Sequence, residues 1–453
     1  MRDRVLVLAA IAFVLAAGVF GAPEATAQTE LDRHLVLFKG NDVPKGFTDD
    51  VEALGGSVIF SHKVGFAVVE GLTDEAAEEI GANNKVSMIE RDPAIPLDPV
   101  INGSFEAVGD SVPQSPLFPE TAYFYPRQWN MRAIEADAAW AAGRLGSPDV
   151  TVAILDTGID YTYPDLDGLV DLSRPVSFVP ADDEYVEYFF PGKHLVTDIH
   201  IHGTHVAATV ASNAFVAAGV TSQTTLMGVK VCSAVLGYCP GSATAMGVVW
   251  AADNGADVAN MSLGGDFLKK DYPGYVSVIN RLFNYAHSKG MTIVVSAGNE
   301  AEDLDHNGNE YKTYCDTPNT ICVSATGPAA ADDIYVGPWY DVDSPASYTN
   351  YGRSAVNVAA PGGTGAGYVW AACSQTSLVY PICQTGYYIV GMTGTSMAAP
   401  HVTGLAALVA EDVGRNPGQI RGRIQQTADD LGQNGTDPFY GKGRINVGTY
   451  ATD

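Results

Sequence analysis

Four residues of this 453-residue chain have the type and setting for nucleophilic and acid–base chemistry: Asp156, His202, Asn299 and Ser396. Ser396 stands in Gly394-Thr-Ser-Met-Ala-Ala-Pro-His-Val402, ahead of the apolar run Leu405-Ala-Ala-Leu-Val-Ala410, which predicts a helix buried on all sides. At the N-terminus of such a helix, unpaired backbone N–H groups and the helix dipole favour the negative charge that a hydroxyl creates on attacking a carbonyl. Pro400 is expected in the first turn, where a missing N–H does little harm. The plain alternative is an N-cap serine. Asp156 ends the run Val152-Ala-Ile-Leu155, and a carboxylate at the end of a buried strand is costly unless paired or functional. Its plain alternative is a turn cap, and Asp160 reads as a turn residue. His200, His202 and His205 crowd a helix start in His-Ile-His-Gly-Thr-His, so a metal cluster or a general base are both open. The absence of H-E-x-x-H and of a partner glutamate or cysteine favours the base. Asn299, in Ser296-Ala-Gly-Asn299, offers an amide that could hold an oxyanion, or else simply cap a turn.

The elements that must position these residues alternate. Short β-branched runs at 150–155, 225–231, 257–261, 292–296 and 320–324 predict strands. Helical stretches fall at 202–212, 243–254, 276–289, 396–412 and 417–427. This alternation predicts an α/β fold, a doubly wound parallel sheet with helices on both faces, whose sites gather at the carboxyl ends of the strands. A separate module precedes it over 31–96. Strands at 34–38, 57–62, 65–70 and 86–90 and helices at 47–54 and 73–80 give a ferredoxin-like β-α-β-β-α-β order. Residues 97–122, rich in Pro, Gly and Ser and without period, read as an exposed linker where a protease can cut, leaving 123–453 as the main domain.

Arg2 and Arg4, the apolar run Val5–Phe20 and Ala25-Thr-Ala27 predict a secretory signal over 1–27. The expected product is secreted, extracellular or periplasmic, and no other segment is long and apolar enough to cross a membrane. A formal charge of −27 disfavours nucleic acid as a partner. The six cysteines fall into near pairs, so an oxidising compartment predicts the bridges Cys232–Cys239, Cys315–Cys322 and Cys373–Cys383 from proximity alone.

The order aspartate, histidine, serine decides between known arrangements. A lipase-type nucleophile elbow needs its acid and histidine after the serine, and here only His401 follows, in the same helix. The trypsin order begins with histidine. Val152-Ala-Ile-Leu-Asp-Thr-Gly-Ile-Asp160, His202-Gly-Thr-His-Val-Ala207, Asn260-Met-Ser-Leu-Gly-Gly265, Ser296-Ala-Gly-Asn299 and Gly394-Thr-Ser-Met-Ala-Ala-Pro-His401 together resemble the subtilisin family of serine proteases, from about Gln128 to Val447. The leading module resembles that family's inhibitory propeptide.

The resemblance implies Ser396 as nucleophile, His202 as general base and then acid, Asp156 as its orienting partner, and Asn299 with the Ser396 N–H as oxyanion hole. It implies that His205 and His401 are packing residues and that Ser262, Leu263 and Gly264 line one wall of the substrate cleft. Ala297, Gly298 and Glu300 then fall near the first specificity pocket, and the segment around Gly237 to Gly241 near the outer subsites, with Cys232–Cys239 stiffening that rim. Two departures stand out. The acidic, aromatic insertion 178–198 reads as a surface loop beside the cleft. The segment Ser212–Thr225, where many relatives bind calcium, offers only Asn213 and Gln223, so structural calcium is left without an assigned site and no cofactor is required for chemistry. The expected partners are protein or peptide substrates and the chain's own propeptide, on a monomer. An esterase with the same triad and a catalytically silent binding protein are the rival readings.

Overall fold

The computed structural model describes residues 32–97, 101–108 and 115–452. The expected signal at 1–27 lies outside the described residues. Two sheets organise the rest. The larger runs in the order Ser344–Pro345, Thr320–Gly327, Thr292–Ser296, Val258–Met261, Thr151–Asp156, Thr225–Lys230 and Val176–Ser177, with Val358–Pro361 also on Thr320–Gly327. Every pairing in it is parallel except that of Ser344–Pro345. Its central strands are buried on both faces, and alternate side chains feed two different cores. Val152, Ile154 and Val294 pack with the helices His202–Val210 and Thr395–Val413, while Ala153, Leu155 and Val295 pack with Gly241–Asp253 and Pro273–Ser288. This is the α/β sheet with helices on both sides that the alternation predicts.

The module's sheet runs Ser57–His62, Phe66–Glu70, Arg33–Phe38 and Val86–Arg91, all antiparallel, with helices Phe47–Ala53 and Asp74–Gly81. Thr73 caps the second helix by accepting from the Ala76 N–H at 3.2 Å.

Two stretches differ from the sequence reading. The aperiodic 97–122 segment contains a strand, Ile101–Ala107, which pairs with Tyr388–Thr393. Its order comes from a partner distant in sequence, Tyr388 opposite Ala107 and Thr393 opposite Ile101, which local pattern does not report. The insertion 178–198 holds a helix, Pro180–Phe189, and a buried carboxylate instead of a plain surface loop. Asp182 there is fully buried, accepting from Ser233 Oγ at 2.6 Å and the Ala234 N–H at 3.1 Å, with Lys230 Nζ 4.0 Å away. A buried carboxylate needs such partners, and these bind the insertion to the body.

Candidate active site

Asp156 is the last residue of its strand, fully buried, and its Oδ1 lies 2.7 Å from His202 Nδ1. The two meet because the helix opening at His202 approaches the end of the strand closely. A Cβ on Gly203 would fall 2.1 Å from the Gly158 carbonyl, and Gly158 itself has φ +114°, so both positions need glycine. Thr157 bolts the two together, donating from Oγ1 to Asp198 Oδ1 at 3.0 Å and accepting from the Gly203 N–H at 3.0 Å. Asp198 in turn accepts from the Thr204 N–H (3.0 Å), Thr204 Oγ1 (2.6 Å) and the His200 N–H (2.8 Å). Burial pushes the Asp198 carboxyl up to about 6, outweighing those hydrogen bonds.

The histidines separate clearly. Burial drives His200 and His205 down to about 3 and His401 to about 4, which keeps them neutral across the working range. His205 Nε2 lies 3.1 Å from the Val369 carbonyl, and His401 bridges the Met397 carbonyl (2.8 Å) and Asn130 Nδ2 (2.9 Å). Among these four, His202 has the carboxylate.

Ser396 is the second residue of the helix Thr395–Val413 and is 3% exposed. Pro400 sits in the second turn, not the first. Lacking an N–H, it cannot bond the carbonyl four residues back, which is that of Ser396. Ser262 Oγ takes that acceptor at 2.7 Å, and the Ser396 hydroxyl donates back to the Ser262 carbonyl at 3.3 Å. Ser262 also accepts from Asn260 Nδ2 at 3.0 Å, and Asn260 Oδ1 from Thr403 Oγ1 at 2.7 Å. The Val258–Met261 strand and the serine helix are thus tied at two levels.

Asn299 reaches the same helix start. Its Oδ1 accepts from the Thr395 N–H at 2.8 Å and Thr395 Oγ1 at 3.0 Å. That fixes which way the amide faces, with Nδ2 as its donor edge beside the first turn of the helix. The N–H of Gly298 donates to Thr395 Oγ1 at 3.0 Å. The structure therefore brings Asp156 to His202, and Ser262 and Asn299 to the Thr395-Ser396 turn.

The flanking residues fall along the same edge. The Leu263 carbonyl accepts from Ser296 Oγ at 3.3 Å, and Gly264 pairs with Thr313. Ala297 is buried and Glu300 exposed. A residue that sequence reading passed over holds this corner. Asn350 is fully buried, donates to the Ala297 carbonyl (2.9 Å) and Glu300 Oε2 (2.6 Å), and accepts from the N–H groups of Glu300 (3.1 Å) and Glu302 (2.9 Å). Gly298 has φ +94°, and a Cβ there would meet Asn350 Nδ2 at 2.5 Å.

The model of the subtilase family matches residues 147–443. The chain belongs to the subtilase family. The thermophilic serine proteinase of Bacillus sp. (strain AK1) is 34% identical over 335 residues, 72% of this chain and 68% of that protein. Thermitase of Thermoactinomyces vulgaris is 32% identical over 73% of this chain and 97% of its own length. M-protease of Shouchella clausii (strain KSM-K16) is 28% identical over 97% of both. Among solved structures, the epidermin leader peptide processing serine protease of Staphylococcus aureus superposes with TM-score 0.70 at 19% identity, covering 92% of this chain and 97% of that one. This subtilase is a serine endopeptidase, a hydrolase that acts on protein substrates, and the family's chemistry needs no cofactor.

The three disulfides form as Cys232–Cys239, Cys315–Cys322 and Cys373–Cys383. Asp160 does more than turn the chain. Its Oδ1 accepts from the Thr162 N–H and hydroxyl, and its Oδ2 from the Gln375 N–H at 2.8 Å. In the Ser212–Thr225 segment the backbone is held by Asp165, which accepts from the N–H groups of Phe215 (2.7 Å), Val216 (2.9 Å) and Ala217 (3.2 Å). Burial raises that carboxyl to about 7. Among the described residues no group of three or more His, Cys, Asp or Glu is placed to hold a metal.

Proposed function

We propose that this subtilase cuts peptide bonds through an acyl-enzyme on Ser396. Ser396 Oγ attacks the scissile carbonyl carbon while His202 Nε2 takes its proton. Asn299 Nδ2 and the Ser396 N–H hold the oxyanion. The C–N bond then breaks as His202 returns the proton to the leaving amine, and water repeats the sequence to release the acid. Asp156 holds His202 in the tautomer with Nδ1 protonated. Two observations carry this: the buried 2.7 Å Asp156–His202 contact, and the helix start at Ser396 that Asn299 clamps through Thr395. A fluorophosphonate should label Ser396 rapidly, and failure to label the processed enzyme would favour a silent scaffold. An esterase limited to activated acyl groups is separated from it by digestion of a denatured protein.

The same reading makes the chain a secreted pre-pro-enzyme. Supporting it, the module sits on the N-termini of two helices of the main domain. Glu90 accepts from the N–H groups of Gly274 (3.2 Å) and Tyr275 (2.6 Å), and Asp92 from that of Ser242 at 2.7 Å. On this reading the Glu90 and Asp92 carboxyl groups, by accepting N–H bonds at two helix starts, would help to order those helices. The strand Ala94–Pro96 pairs with Tyr238–Pro240, on the rim of the outer subsites. Three disulfides fit export to an oxidising compartment. With Ser396→Ala the exported chain should accumulate uncut; processing of that purified variant at the same bond would rule out autocatalysis. The pocket beside Ala297 and Gly298 should accept large apolar residues, with Lys or Arg tolerated through Glu300, and a strict acidic preference in a peptide library would contradict that.

A further inference from the structure

The chain runs along the active-site region twice as an added strand, before and after the 97–101 interval. Ala94–Pro96 lies antiparallel on Tyr238–Pro240, and the Leu97 N–H continues the ladder to the Gly237 carbonyl at 3.1 Å. Ile101–Ala107 lies antiparallel on Tyr388–Thr393, with Ile101 opposite Thr393, Ser104 opposite Gly391 and Ala107 opposite Tyr388. The Val108 N–H extends it to the Tyr387 carbonyl at 2.8 Å. The other edge of Tyr388–Thr393 is taken by Val369–Ala372, and Thr393 is three residues from Ser396. An edge strand that leads into the serine is a ready template for an extended peptide.

The two added strands differ in what holds them. The first is the tail of the module and leaves with it once the chain is cut between Leu97 and Ile101. The second is continuous with chain that is packed on the main domain. Glu106 pairs with Arg127 at 3.4 Å, and the Phe105 ring lies 5.6 Å from that of Tyr380. Farther on, the Ser115 N–H donates to the Asn213 carbonyl (2.9 Å) and the Phe124 N–H to that of Val216 (2.8 Å). Gln128, fully buried, bonds both the carbonyl and the N–H of Ala218. All of these anchors lie downstream of the cut.

Resting on the zymogen reading above, we infer that processing opens only half of the cleft. Ile101–Ala107 stays on Tyr388–Thr393 and covers the edge that substrate residues downstream of the scissile bond would otherwise use. A short tether gives such a strand an effective concentration in the millimolar range, on the order of 10³ times that of a micromolar substrate. The processed enzyme therefore draws its recognition from residues upstream of the cut. Its favoured substrates are polypeptides whose downstream side is short, turned or flexible rather than an extended strand.

Two measurements test this. Hydrogen exchange followed by mass spectrometry compares the processed enzyme with the uncut Ser396→Ala chain, reading the peptides over 101–108 and 388–393. Equal protection is expected, and a loss of about 100-fold on processing overturns the inference. The second compares kcat/KM for a tetrapeptide with a small chromogenic amide against the same peptide extended by four downstream residues. The wild type should gain about threefold or less, and Phe105→Asp, which loosens the strand, should raise that gain to about tenfold or more. A tenfold gain already present in the wild type, or a mature N-terminus beyond residue 108, overturns the inference while leaving the zymogen reading intact. Full activity in a chain that intact-mass analysis shows uncut overturns the zymogen reading, and this inference with it.

Discussion

The strands Arg33–Phe38 and Thr151–Asp156 are both buried along their whole length, but different things cover them. The second is flanked by helices of its own domain on both faces. In the first, alternate residues belong to different cores. Val36 and Phe38 pack with Phe47, Val51, Ala76 and Ile80 of the module, whereas Leu35 and Leu37 pack with Val248, Val278, Leu282 and the rest of the main-domain core. Phe66 and Val68 follow Leu35 and Leu37, and Ala67 and Val69 follow Val36. The module is thus a half-built sheet whose second face is supplied by helices Gly241–Asp253 and Pro273–Ser288. Each side chain on that face would give up roughly 1.5–3 kcal/mol of burial if the module were released. On the zymogen reading the main domain carries the reacting groups and the module, which shares its core with that domain, is stable mainly while docked. Changes in the first should alter turnover, and changes in the second should alter folding yield and inhibition.

The sharpest break of this contrast is Ser396→Ala. Turnover should fall by about 10⁶, the size seen when the nucleophile of another subtilase is removed. Module binding should be unaffected, as titration of the separated module would report. Asp156→Asn comes next, with kcat down by about 10⁴ because His202 loses its tautomer, a magnitude taken from the equivalent change in a trypsin-like enzyme. A pH–rate profile checks it, since activity should recover partly in base. Asn299→Ala should lower kcat by ~10²–10³ with KM little changed, again a subtilase magnitude. A loss confined to KM would instead make Asn299 a binding residue.

The smallest effect lies in the module. Burial raises the docked Asp92 carboxyl to about 7, against an ordinary value of 3.8, despite its bonds to Ser242 and the nearby Arg33. The docked form therefore holds the proton more tightly than the free form. Docking is strongest below about pH 4 and weakens as pH rises toward 7, by at most about tenfold per unit. Inhibition constants of the separated module between pH 5 and 7 should show that slope, and Asp92→Asn should flatten it without changing kcat of the free enzyme. A slope of opposite sign would mean that the helix start at Gly241 holds the carboxylate charged.

Much of this was readable from residues in a row. The β-branched runs ending in Asp156, Ser296 and Met261 predicted strands to within a residue or two, because strands buried on both faces need continuous apolar sequence. The candidates Ser396, His202 and Asn299 stood out because each lies in a short motif at an element's end. What escaped depends on distant partners. Ile101–Ala107 shows no alternation and is ordered by Tyr388–Thr393. Asn350 looks like any turn asparagine, and its four side-chain bonds to the 297–302 corner exist only once the sheet has formed. Asp198 and Asp182, in a stretch read as acidic surface, are fully buried, and nothing in their immediate neighbours distinguishes them from solvated carboxylates.

The three disulfides close loops with separations of 7, 7 and 10 residues. In chain-entropy terms, loops this short restrict the unfolded chain least, roughly 2–3 kcal/mol each, so their removal takes only a modest share of the freedom that unfolding releases. None of them links the module to the main domain or one core to the other. Cys232–Cys239 leads into the strand that receives Ala94–Pro96, and Cys373–Cys383 joins the segment between Val369–Ala372 and Tyr388–Thr393. Reductant should therefore act on this enzyme gradually. Under mild reduction the segments beside Tyr238–Pro240 and Tyr388–Thr393 should gain local motion, and KM for long peptides should rise before the thermal midpoint has moved far.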